Sequence, residues 1–331
     1  MPTYPGAVST VTVSTAATAL PHARWAERAD DHATRADALT AGWRERRAAG
    51  TTHAIEDFLF TYYPTRPAQL RRWHPGPGVV VARPDDDAGP VALTAYSERA
   101  AWRWYRSTSD GVMLDVRAFL AERGDTVRYV HDLLEATASR PARFGCLGLH
   151  EWAMVYRDHA AGRASRHPLP LRLGGDGTDA VVESHRIRCT HFDAYRFFTP
   201  EASGLNTERP TREIQPALEQ PGCLHANMDL YKWALKLGPA VPGELLLDTF
   251  ELARDVRVLD MQASPYDVSP YGLAPVAIET PEGRAEYVRR QQEFAERSVT
   301  LRARLLDACE TLLDTRRQAR RDGKTRSSSS G

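Results

Sequence analysis

Pro221 and Pro242 bracket and follow two segments whose side-chain spacing suits only helices. In the first, Gly222-Cys-Leu-His-Ala-Asn-Met-Asp-Leu-Tyr-Lys-Trp-Ala-Leu-Lys-Leu237, the residues His225, Asp229, Lys232 and Lys236 recur at i, i+4, i+7 and i+11. On a helix they share one narrow stripe. In the second, Pro242 to Asp260, the acids Glu244, Asp248, Glu251 and Asp255 follow the same spacing. Pro242 suits a first-turn position, and Glu244 complements the positive end of the helix. The acid stripe is flanked on both sides by apolar residues, Leu247 and Val258 on one and Leu245, Leu252, Val256 and Leu259 on the other. A solvated stripe would lie opposite the apolar face. Its partners are therefore arginines, the Lys232/Lys236 stripe or a metal pair, with a packed ion-pair network as the plainest reading.

Lysine occurs only at Lys232, Lys236 and Lys324, every other basic residue being arginine. A lysine amine can lose its proton when desolvated and serve as base or nucleophile, which arginine cannot do. An imidazole and a carboxylate on the same stripe could tune that ionisation. The alternative is a solvated helix face held by ion pairs one turn apart.

The rest of the chain reads as mostly helical. Residues 1–20 are rich in Thr, Ser and Ala and read as disordered. Residues 22–49 suit a surface helix, 53–63 a buried aromatic helix stopped by Pro64, and 67–74 a short helix opened by proline. Gly78 to Ala82 is a short strand candidate. Helical patterns run from Glu98 to Tyr105, Val112 to Ser139 and Gly145 to His159. Residues 168–190 read as a β-hairpin around Gly174-Gly-Asp-Gly177. Residues 283–321 form a long charged helix, and 322–331 a flexible tail after the basic run Arg316-Arg-Gln-Ala-Arg-Arg321. The fold class expected is mostly α with a small β-hairpin or sheet element, as a single helical domain over 21–321.

Composition excludes several function classes. A hydrophobic content of 42%, a charged content of 26% and zero net charge are those of an ordinary globular chain. No apolar run reaches the roughly 18–20 residues needed to cross a bilayer, and the N-terminal segment is a poor secretory signal, so no membrane partner and a cytoplasmic location are expected. A neutral chain makes DNA contacts only through local patches. Cys146, Cys189, Cys223 and Cys309 are far apart and form no CxxC pair, which argues against a zinc knot or disulfide framework and for buried thiols. His150-Glu-Trp-Ala-Met154 is not HExxH, since Met154 stands where the second histidine would be. Thr190-His-Phe-Asp-Ala-Tyr-Arg-Phe-Phe198 sets His191, Asp193 and Arg196 among aromatics, as an aromatic core segment or a pocket for a flat heterocycle would. His53, His74 and His131 read as structural, hydrogen-bonded residues.

The blocks His53 to Tyr63, Arg66 to Gly76, His150 to Tyr156, Arg188 to Phe198 and the lysine helix together resemble a bacterial, largely actinobacterial family usually labelled 3-methyladenine DNA glycosylase. The resemblance spans about residues 51–300. It implies an N-glycosylase that hydrolyses the bond to alkylated purines in DNA, without a cofactor. The family supplies no residue roles, and the chain lacks the helix-hairpin-helix and HEAT-like features of the better-understood glycosylase groups. Tested against that chemistry, Asp229, Lys232, His225 and Glu151 have the types expected of catalytic groups. Trp152, Phe192, Tyr195, Arg196, Tyr231 and Trp233 have those of substrate-binding walls. Two alternatives stand beside it. One is an enzyme for an unidentified small molecule. The other is a helical metalloenzyme holding iron or manganese through Glu244, Asp248, Glu251 and Asp255 with His150 or His225.

Overall fold

The computed structural model describes residues 18–163 and 167–328, with side chains of the last helix described as far as residue 315. In chain order it runs β1 (Thr18–Leu20), α1 (His22–Ala48), α2 (Phe58–Tyr62), α3 (Pro67–Leu70), β2 (Val79–Val81), α4 (Pro90–Ala100), β3 (Tyr105–Thr108), β4 (Gly111–Leu114) and α5 (Val116–Ala138). There follow α6 (Leu149–Ala153), α7 (Gly174–Glu183), α8 (Phe192–Tyr195), α9 (Pro200–Ser203), α10 (Gln215–Leu218), α11 (Leu224–Leu237), α12 (Gly243–Gln262) and α13 (Pro281–Ser328). The fold is mostly α with a small four-stranded sheet, consistent with a single domain.

The centre is the pair α11 and α12, packed on each other, with α13 against both and α5 against α11 and α13. Apolar spacing explains the arrangement. On α11, Leu224, Met228, Tyr231 and Leu237 are buried, and on α12 Leu245, Leu252, Val256 and Leu259. Each such side chain contributes about 1.5–3 kcal/mol on burial. Helix α5 begins where the Asp115 carboxylate accepts a 2.9 Å bond from the Ala118 amide, and it buries Phe119, Val127, Val130 and Leu134. Helix α11 stops at Gly238, whose positive φ of 55° favours glycine.

The acid stripe of α12 resolves as the ion-pair network. Glu244 meets Arg28 at 2.8 Å, and Arg35 of α1 reaches both Asp248 and Glu251 at 2.8 and 2.9 Å. On the other side Arg304 and Arg297 of α13 take Asp248 and Asp255 at 2.7 and 3.0 Å. The partners are arginines, and the acids clamp α12 between α1 and α13.

The sheet has the order β1-β2-β4-β3, with β1 parallel to β2 and the remaining pairs antiparallel. It is tied to the helices through Arg99, whose guanidinium lies 5.1, 5.2 and 4.6 Å from the rings of Trp25, Trp73 and Trp102 and donates to the Trp73 carbonyl at 2.9 Å. Trp73 in turn donates to Glu244 of α12 at 2.9 Å.

Several local expectations are corrected. Residues 168–190 are not a hairpin: Gly174–Glu183 is helix α7, and only isolated bridges, Leu171 to Tyr266 and Ile187 to Asn206, touch this region. Thr178, Val181 and Val182 are buried at helical spacing, which prevails over the strand-like run of β-branched residues. The β element lies elsewhere. Tyr105–Thr108 and Gly111–Leu114 form a hairpin where helical ends were expected, because Gly111, at φ 146°, packs a bare Cα against the Val81 carbonyl. At the termini, Thr18–Leu20 is already a strand, and α13 runs on to Ser328. Residues 1–17 and the side chains of the basic run at 316–321 lie outside the described residues. Among the described residues no helix is long and apolar enough to cross a membrane.

Candidate active site

Three segments far apart in sequence meet at the N-terminal half of α11: the α6 turn bearing His150 and Glu151, the α8 turn bearing His191 and Asp193, and the end of α12 bearing Arg257 and Asp260. Each is a short turn or helix end pinned by packing, and each delivers charged groups into a buried place. His191 is 1% exposed, Asp229 2% and Asp260 0%. Charges this deep persist only when paired.

The pairing forms two clusters joined by stacked imidazoles. In the first, the Lys232 ammonium lies 2.6 Å from Asp193 and 2.8 Å from Asp229, and Tyr63 donates to the other Asp229 oxygen at 2.8 Å. His191 sits between two carboxylates, Nδ1 3.5 Å from Glu219 and Nε2 3.5 Å from Asp229. These contacts are ionic more than hydrogen-bonding, and His191 Nδ1 has no hydrogen-bond partner among the described residues. In the second cluster, His150 Nε2 is 2.9 Å from Asp260 Oδ1, while Arg257 Nη1 holds Asp260 Oδ2 at 2.8 Å and Glu151 at 3.0 Å. His225 bridges them, edge-on to His150 at 4.4 Å and stacked on His191 at 5.3 Å between ring centres.

Protonation follows from these neighbours. Burial alone would raise the Asp229 carboxyl, but the Lys232 ammonium and His191 hold it well below the usual carboxylate range. Burial works against the Lys232 charge, yet Asp229 and Asp193 hold the amine more firmly protonated than a free lysine. Between two carboxylates the Lys232 amine is held as a charged ammonium, which is not the free amine a base or nucleophile requires. Burial opposes charge on His191 also, and the two carboxylates lift it to about 9. His225 goes the other way. Burial, then the charge of His150, push it well down, so it stays neutral. Glu151 is raised by burial and by the negative charge of Asp260, against the opposing pull of Arg257.

A cavity of about 280 Å³ opens on this network. Phe58, Tyr62, Phe197, Tyr266, Met154 and Met228 give it an apolar wall. Glu151, Asp193, His225 and Arg257 supply the polar end, with His167 also on the lining. A mainly apolar hollow with a few convergent polar groups and displaced acid and base strengths is the usual form of a small-molecule site. No protein-family model, no curated protein and no solved structure matches the chain.

Of the expected catalytic groups, His225 and Glu151 line this cavity. Asp229 is sealed beneath it, and Lys232 lines a separate cleft with Trp233, Arg212 and Lys236. Asp193 borders both. The expected binding walls are largely elsewhere. Trp152 is wholly buried, donating to the Ala263 carbonyl at 2.8 Å, and Tyr231 is wholly buried against Tyr63 and Phe250. Both are core residues and line none of the cavities described. Tyr195 donates to the Ser203 carbonyl, Arg196 pairs with Asp193 at 3.1 Å beside Phe197, and Arg212 covers Phe192. Phe58, Tyr62 and Phe197 had the aromatic density of residues 53–63 and 190–198 as their one signal in the sequence, whereas Met228, Arg257 and Tyr266 had none.

Two groups here have metal-type donors, His150/His225/Asp260 and His191/Asp193/Asp229. Each already has a side-chain cation on its carboxylates, Arg257 in one and Lys232 in the other. An added divalent ion would meet that cation at the same oxygens. None of the metal-type groups among the described residues contains Glu244, Asp248, Glu251 or Asp255, whose carboxylates face arginines instead.

Proposed function

We propose that the chain is an enzyme that takes a small flat heterocycle into the 280 Å³ cavity, and that its reaction is hydrolysis of the N-glycosidic bond of an alkylated purine in DNA. The observation that supports the reading is the composition of that cavity. Aromatic faces at Phe58, Tyr62, Phe197 and Tyr266 stand beside the carboxylates of Asp193 and Glu151, which is what a cationic base requires. The volume lies just under the usual range for small-molecule sites, so one base enters, flipped out of its stack. Asp193, held by Lys232 and Arg196, presents negative charge to a developing oxocarbenium sugar. Neutral His225 can accept a hydrogen bond from the attacking water and orient it. Arg196 and Arg212, partly exposed beside Phe197 and Phe192, are available to phosphates.

The test is release of free 3-methyladenine from methylated DNA at stoichiometric enzyme. Base release is expected, with His225→Gln and Asp193→Asn each slowing it about a hundredfold or more. Absence of release by the folded wild-type chain discards the reaction. Thermal stabilisation by a heterocyclic metabolite in the same preparation would then favour the alternative, an enzyme of small-molecule metabolism using this cavity.

A further inference from the structure

A second cavity, of about 580 Å³, shares no lining residue with the first. Arg143, Arg186 and Arg188 line it, with Glu208 as the acid on its wall. Among the described residues none of the three guanidinium groups has a carboxylate partner. Most arginines around the network just described are paired, so three unpaired ones around one hollow make an anion-binding wall.

Cys146 stands on the same wall, half-buried, whereas the other three cysteines are buried. Its Sγ is 3.7 Å from His150 Nδ1, and His150 Nε2 is 2.9 Å from Asp260 Oδ1. Asp260 is fixed in turn by Arg257 at 2.8 Å. The Asp260 carboxylate accepts the Nε2–H hydrogen bond, so that Nδ1 is the nitrogen facing the sulfur. A nucleophile, a base and a group that orients the base therefore lie in line, recognisable by geometry and not by order in the chain. Cys189 and His150 beside the Cys146 sulfur favour its thiolate against the effect of burial.

We propose that Cys146 is the nucleophile of an acyl-transfer site, with His150 as its base, Asp260 as the positioning residue, and Arg143, Arg186 and Arg188 recognising a negatively charged group on the acyl donor. The Cys146 sulfur attacks the acyl carbon and a C–S bond forms. The bond to the leaving group breaks, and that group departs with its electron pair and the proton held on His150. Water then attacks the thioester, His150 takes its proton, and the proton returns to sulfur as the C–S bond breaks. The net change is addition of water across the acyl bond, with no redox partner. This site shares the His150–Asp260–Arg257 network with the first cavity, but it is read by an assay other than purine excision.

The full-length chain is mixed with mono-p-nitrophenyl succinate or with p-nitrophenyl acetate. A burst of nitrophenolate close to one equivalent is expected, with the acyl group mapped to Cys146 by peptide mass spectrometry. The succinate ester should react at least tenfold faster than the acetate, relative to the same ratio for a free cysteine peptide. Cys146→Ser should lose the burst, and the double variant Arg186→Ala/Arg188→Ala should bring the ratio down to the peptide's. An adduct on another cysteine, no adduct, or a wild-type ratio equal to the peptide's overturns the proposal. These three readings use the unmodified chain, so a variant that fails to fold does not rescue it.

Discussion

Lys232 illustrates how far a residue's type differs from its role. Its rarity and spacing mark it in the sequence, yet its ammonium lies within 2.8 Å of two carboxylates and one of these, on Asp229, is sealed in the core. Removing the cation leaves Asp229 with only Tyr63 and His191, and Asp193 with only the half-exposed Arg196. Breaking a buried pair from one side costs about 3–5 kcal/mol. Lys232→Met should therefore lower unfolding free energy by that order in urea melts, and Lys232→Met/Asp229→Asn should recover a large part of it. A single Lys232→Met variant as stable as the wild type would show that the ammonium is not the clamp. Tyr63→Phe should cost less, about 1–3 kcal/mol, because it removes one hydrogen bond from an already charged carboxylate. The sequence displayed Asp229 and Lys232 as neighbours on a helix, but their state is set by Tyr63, His191 and Asp193, which no local pattern connects to them.

At the scale of elements, legibility follows how local the determinants are. Helices α11 and α12 begin and end near where proline and spacing place them, since capping and periodicity act within a few residues. The Gly174 region failed because a glycine-rich start and a run of valines satisfy a strand template equally, and the choice was made by packing of α7 against α6. The acid stripe of α12 was legible as needing partners, whereas the identity of the partners, arginines of α1 and α13, depends on contacts between segments far apart in sequence. The first residue of α12 gives a sharp test of that docking. A Cβ at Gly243 would lie 2.6 Å from Trp73 Cδ1 and 2.9 Å from His32 Nδ1, both buried rings. Alanine in a helix interior gains up to about 1 kcal/mol over glycine, less at a first turn, while overpacking costs about 1–3 kcal/mol. The overlap should prevail, so Gly243→Ala is expected to destabilise by about 1–2 kcal/mol and to redshift tryptophan emission as Trp73 is displaced. An Ala variant with a raised melting temperature would mean that the rings yield freely.

For the molecule as a whole, the buried and half-buried histidines set how stability varies with pH, and they act in opposite directions. His74 is held at about 3 by burial, then by Arg99, and His167 at about 4 by burial, then by Arg257, while His225 is also driven well down. In the unfolded chain each titrates near about 6.5. Between these limits the unfolded state binds more protons, so stability rises with pH up to about 6.5. Asp229 and Asp260, held low by Lys232 and His150 against burial, add to the loss in acid, since their contribution is present above about 3.9 and fades as pH falls. His191 has the reverse sign, as has His150, which against burial is held protonated by Asp260. Raised to about 9, His191 contributes fully below about 6.5 and its contribution is lost as pH climbs through 9. The melting temperature should thus peak near pH 6–7 and fall on both sides, well before lysine or tyrosine titrates. His191→Gln should lower the peak and make the alkaline limb between about pH 7 and 9 shallower, and it should shift the acid limb only through Asp229, which Lys232 still holds low. A wild-type profile that keeps rising to pH 9 would show that His191 is uncharged between Glu219 and Asp229, and with it the electrostatic support of the first cluster would be gone.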